Sequence, residues 1–158
     1  MPESVVPDFH FIAMRRGKNA SDRRVNGFFV IPQTGFYCRA CSGSSGLQPL
    51  PSGLYHSTHF RERTDVAMVR AGVGFSVDLA DKWDPALGRM RSLLRIHPDG
   101  NAPGTQGCVG ILEKVQECQD QLSALFPQSK TVRWLEVQIV ASKREMNLVT
   151  GYGAWFFA

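Results

Sequence analysis

Apolar and polar residues follow two different periods along this chain, and the change between them organises it. Residues 25–40, VNGFFVIPQTGFYCRA, read as two short strands broken by Pro32 and Gly35. CSGSSGLQPLPSG follows as a loop of glycine, serine and proline, and LYHSTHF resumes an extended run. AMVRAGVGFSVDLA reads as a further strand or hairpin that bends at its glycines. SLLRIHP is a short apolar strand that ends on His97. Then the period lengthens. Ile111, Leu112, Val115, Cys118, Leu122, Leu125 and Phe126 recur at three- and four-residue steps until Pro127, which predicts one amphipathic helix. VRWLEVQIVA returns to alternation, and the aromatic GYGAWFFA reads as a final strand closing the core. The pattern predicts a mainly β fold with one helix, in a single domain over residues 1–158. Trp83, Trp134 and Trp155 are expected in its core.

At 158 residues the chain is long enough to bury a core without staples. No apolar run approaches the roughly 18 residues of a membrane helix, so no membrane insertion is expected. The N-terminal apolar patch precedes its charges, the reverse of a secretory signal, so synthesis in the cytoplasm without an export signal is expected. The net charge of +4 is spread over Arg15, Arg16, Lys18, Arg23, Arg24, Arg61, Arg63, Arg70, Arg89, Arg91 and Arg95. Such a surface suits a polyanion. No aromatic-rich RNA-binding signature accompanies it, and nucleic acid is not the expected partner.

The four cysteines occupy different neighbourhoods. Cys118 falls on the apolar stripe of the helix and is expected buried and inert. Cys38-x2-Cys41 and His56-x2-His59 have some of the look of a zinc ligand set. The histidines, however, stand three apart in a strand-like segment, where their side chains would face opposite ways. No metal and no organic cofactor is expected; Cys38 reads as a core residue and Cys41 as a loop residue near the site.

Cys108 closes the turn-rich segment HPDGNAPGTQGC that His97 opens. A cysteine between such a loop and the start of a helix, with an imidazole nearby, has its thiolate favoured from both sides. The loop's glycines and prolines allow it to fold back. The N–H groups of Gln106, Gly107 and Cys108 would then face a reacting carbonyl, as an oxyanion hole requires. Asp99, or a main-chain carbonyl near Pro98, would orient His97. Cys108 is the candidate nucleophile, His97 the candidate base, and Gly107 a candidate oxyanion donor.

HPDGNAPGTQGCVGI also resembles the signature of the L,D-transpeptidase catalytic domain, the YkuD fold. The matching positions are the strand-end His97, then Thr105, Gln106, Gly107, Cys108 and the aliphatic Val109. SGLQPLPSGLY is similar to the family's proline-glycine turn before an aromatic-bearing strand, and the resemblance spans about residues 25–141. It implies an L,D-transpeptidase-like β-sandwich with the helix after the catalytic cysteine. It implies a Cys108 thiolate that attacks a carbonyl of a peptidoglycan stem peptide, with the acyl-enzyme resolved by water or an amine. Tyr55, His59, Thr105, Gln106 and Arg95 are the substrate-contacting candidates. Gln106 replaces a common histidine, Gly110 replaces arginine or asparagine, and the His–Cys gap is short. These departures bear on substrate preference and on transpeptidation.

With no export signal expected, the implied use is a phage lysis protein or an antibacterial effector acting in the periplasm or cell wall. Such a use favours cleavage of stem peptides, or exchange of their terminal D-amino acids, with an immunity or delivery protein as a candidate partner. A cross-linking L,D-transpeptidase is the alternative within the family. A basic, non-catalytic module binding cell wall or nucleic acid is the alternative from another class.

Overall fold

The computed structural model describes residues 4–15, 23–44, 46–100, 102, 104–142 and 144–145. The expected final strand GYGAWFFA, with Trp155, lies outside the described residues, as do Arg16 and Lys18. The fold is mainly β. Its strands are β1 (Phe9–Arg15), β2 (Val25–Ile31), β3 (Phe36–Ser42), β4 (Gly53–Glu62), β5 (Val69–Arg70), β6 (Val73–Leu79), β7 (Lys82–Asp84), β8 (Arg89–Arg91), β9 (Arg95–Pro98), β10 (Val109–Ile111) and β11 (Arg133–Val140). One α-helix, α1 (Val115–Leu125), separates the last two.

The strands hydrogen-bond in the order β4-β11-β1-β2-β3-β10-β9-β6, and β6 pairs back onto β4, so eight strands form a closed ring with β5 appended to β6. A sandwich of two separate sheets is therefore not the arrangement of hydrogen bonds; the sheet is continuous. Alternation along β11 shows how the sequence builds this. Leu135 and Val137 point into the core while Trp134, Glu136 and Gln138 are half-buried on the other face. Phe9, Phe11, Phe29, Phe75, Ile96 and Leu135 fill the interior, joined by Val115, Cys118 and Leu122 of α1. Each fully buried large side chain of this kind contributes about 1.5–3 kcal/mol over leaving it in water. Gly27 permits the closest approach within the ring: a Cβ there would lie 1.8 Å from the Ile12 carbonyl oxygen.

The N-terminal apolar patch, to which the sequence pattern assigns no element, is a full strand, β1, paired in parallel with β11 and antiparallel with β2. Two expectations are corrected. Ile111 belongs to β10 rather than to the helix, which begins only at Val115. Trp83 is 55% exposed on β7, opposite the equally exposed Met90 of β8, because these two short strands form a separate hairpin outside the ring.

Candidate functional site

β9 and β10 run parallel, with His97 level with Gly110 and Ile96 level with Val109. Cys108 stands immediately before β10, one position ahead of the Val109–Ile96 pair, and His97 lies one position beyond that pair. Both open into one cavity of about 600 Å³, whose wall also includes Leu93, Arg95, Asp99 and Gln106. Cys108 is half-buried and His97 is buried.

His97 Nδ1 lies 2.7 Å from the Pro98 carbonyl oxygen. A carbonyl only accepts, so Nδ1 carries the proton of the neutral ring and Nε2 keeps its lone pair. Burial lowers the pKa of His97, although the Pro98 hydrogen bond and the Asp99 charge oppose it. Asp99 is the other orienter the sequence offers. Its carboxylate instead accepts from Gly104 N–H at 3.2 Å and from the Cys41 thiol at 3.7 Å, and burial raises its own pKa. The hydrogen bond to His97 comes from the main chain.

The Cys108 thiol is pushed up by burial, while the Arg95 main-chain N–H and the charges of Arg95 and Arg91 pull it back. Its S–H reaches the Leu93 carbonyl at 3.7 Å. Leu93 itself holds φ 56° and is 74% exposed at the rim, a backbone conformation that costs a residue with a Cβ about 1–2 kcal/mol. The expected activation by a helix N-terminus is corrected: the chain runs from Cys108 into β10, and α1 starts beyond it. Burial thus favours the neutral form of both the thiol and the imidazole.

The segment before Cys108 is held by one hydroxyl. Buried Thr105 Oγ1 donates to the Cys108 carbonyl at 2.6 Å and accepts from Gly43 N–H at 3.1 Å and Gly107 N–H at 3.2 Å. Thr105 therefore positions the loop instead of offering its hydroxyl to a ligand. For the same reason the Gly107 N–H points at Thr105, which corrects its expected place in an oxyanion hole. Gln106 is exposed at the cavity, and Arg95 lines it with its Nε 3.4 Å from Asp78.

Two candidates lie elsewhere. Tyr55 is buried in β4 with its hydroxyl donating to Pro51 O at 2.5 Å, because its ring is needed in the core. His59 is exposed where β4 shifts register against β6, at φ 56°, and sits 3.6 Å from Asp78 beside a different, smaller cavity of about 370 Å³. That irregularity leaves both His56 and His59 exposed, not on opposite faces as a regular strand would have them. Cys41 lies inside β3 and is buried, its thiol raised to about 12 by burial and by Asp99. Among the described residues no group of three or more metal-binding side chains forms.

Sequence reasoning missed Arg91, which reads as one more surface arginine. It is 8% exposed and pairs with buried Asp84 at 2.8 Å. It also donates to the carbonyls of Gln48 and Pro49 at 3.1 Å and of Gln106 at 3.3 Å. No local pattern marks it, since its partners come from three separate segments. Compared with protein-family models, with curated proteins and with solved structures, the chain has no significant match.

Proposed function

We propose that this protein is a cysteine acyl-transfer enzyme of the L,D-transpeptidase type, acting on stem peptides of bacterial peptidoglycan. The observation that carries the reading is the shared cavity: Cys108 and His97 open into it from adjacent parallel strands, and the ring of His97 is pinned with Nε2 unprotonated. A buried imidazole with lowered pKa is a base at neutral pH, and a raised thiol needs one. On this reading Nε2 takes the Cys108 proton as sulfur attacks the scissile carbonyl carbon. The tetrahedral intermediate collapses, the C–N bond breaks, and the imidazolium returns its proton to the leaving amine. Water or a second amine then attacks the thioester and frees Cys108. The closed ring would be this chain's version of the L,D-transpeptidase β-sandwich.

Cleavage of stem peptides, or exchange of their terminal D-amino acids, is the preferred outcome over cross-linking, in a phage lysis protein or antibacterial effector acting in the periplasm or cell wall. Gln106 and Gly110 depart from the cross-linking pattern, and this supports the preference. The test is to incubate Gram-negative sacculi with wild type and Cys108→Ala and to resolve the muropeptides by mass spectrometry. Shortened stems or lost cross-links with wild type alone support a peptidase, and exchanged terminal residues support a transpeptidase. Identical profiles at every pH would leave the basic binding module in its place.

A further inference from the structure

Arg91 is the most heavily bonded side chain beside the cavity, and the acyl transfer described above does not use it. Its two terminal nitrogens span Asp84 at the turn end of β7, the carbonyls of Gln48 and Pro49, and the Gln106 carbonyl two residues before the candidate nucleophile. Gly107 makes room for it. At φ 119° this glycine holds a conformation that disfavours a side chain, and a Cβ there would lie 2.2 Å from Arg91 Nη2.

We propose that Arg91 is a positioning residue for Cys108: its guanidinium holds the Gln106–Gly107 turn that delivers the thiol to the cavity, and keeps a buried positive charge behind that thiol. The consequence for catalysis rests on the acyl-transfer reading; the effect on the thiol does not.

Two features separate this from a purely structural ion pair. A pair between Arg91 and Asp84 alone would need neither the Gln106 contact nor the space that Gly107 leaves. The charge also acts on the sulfur: Arg91 and Arg95 both favour the thiolate against the burial that opposes it. Arg95, His97 and Asp99 are the ionisable groups that line the cavity with Cys108, and Arg91 acts from behind its wall through Gln106. A planar fork reaches four acceptors at once, which a lysine ammonium on a flexible stem does not.

The experiment measures iodoacetamide alkylation of Cys108 against pH in the full chain, read by peptide mapping, together with peptide release from sacculi. Arg91→Met is made together with Asp84→Asn, so that no buried carboxylate is left alone. This pair should raise the pH midpoint of alkylation by about one unit and slow the reaction near pH 7 by about tenfold, with the far-ultraviolet circular dichroism unchanged. Arg91→Lys should keep the midpoint but lose most peptide release, because the charge stays while the fork is gone. Should the double variant fail to fold, Gly107→Ala displaces the guanidinium from the opposite side and should raise the midpoint likewise.

A folded variant of either kind with the wild-type midpoint would overturn the proposal, as would full peptide release by Arg91→Lys. A shifted midpoint in a protein whose wild type releases nothing from sacculi would sink the cell-wall reading and leave the positioning role standing.

Discussion

Cys108 and Cys118 are both thiols held protonated by burial, yet their surroundings have little else in common. Cys118 sits on α1 with no exposure, its sulfur within hydrogen-bonding reach of Cys38 in the central core. Cys108 is half-buried at a cavity, with an imidazole, two arginines and a strained leucine carbonyl around it. Burial alone therefore makes a thiol inert. What separates the two is a cavity shared with His97, and the charges of Arg95 and Arg91, which favour the thiolate that burial disfavours. The core offers Cys118 only apolar neighbours and another thiol.

The sharpest break of this contrast is Cys108→Ala, expected to lower peptide release from sacculi by at least about 10³-fold and to abolish fast alkylation. Cys118→Ala should leave both rates unchanged and lower the melting temperature. Fast labelling at Cys38, Cys41 or Cys118 in the folded protein would erase the distinction.

Thr105→Val comes next. It removes the hydroxyl but leaves Gly43 N–H and Gly107 N–H buried without their acceptor, at a cost of about 1–3 kcal/mol each. Urea unfolding should show a loss of about 2–6 kcal/mol. Cys108 alkylation should also slow, since the bond to the Cys108 carbonyl is lost as well.

A smaller effect comes from pH. His97 and His10 both have lowered pKa values in the folded chain. Below about pH 6.5 the unfolded chain therefore binds protons that the folded chain refuses, and stability falls as pH falls. Cys41, Cys108 and Cys118 are all raised, so above about pH 8.5 the unfolded chain releases protons that the folded chain retains. Stability then falls as pH rises, and melting temperature should peak between these limits. Replacing His97 with Gln should flatten the acid limb; an unchanged limb would show that His97 is not buried neutral.

Asp99→Asn should do least, changing peptide release by no more than about threefold, because the Pro98 carbonyl holds the ring. A loss of a hundredfold would return Asp99 to the orienting role.

How much of this is visible in the sequence depends on the length scale that fixes each residue. The α1 stripe and the alternation of β11 are local, and a periodic run declares them. His97 and Cys108 are legible as candidates through order and spacing, and a strand end and a glycine-rich return carry both to the wall of one cavity. β10 has only three residues, too few to show a period, so Ile111 reads as part of the helix that follows. Tyr55 and Trp83 exchange places with expectation, one buried and one exposed, because the ring takes in β4 and leaves the β7–β8 hairpin outside. Arg91 is invisible for the same kind of reason: its role is set by acceptors at 48, 49, 84 and 106, which only the folded chain assembles.

Closure of the eight-stranded ring has a consequence for company as well as for shape. Among the described residues, the strands outside the closed ring are β5, β7 and β8, elements of two or three residues. A strand from another molecule finds no long row of amides to zip onto, which protects the protein from edge-to-edge aggregation.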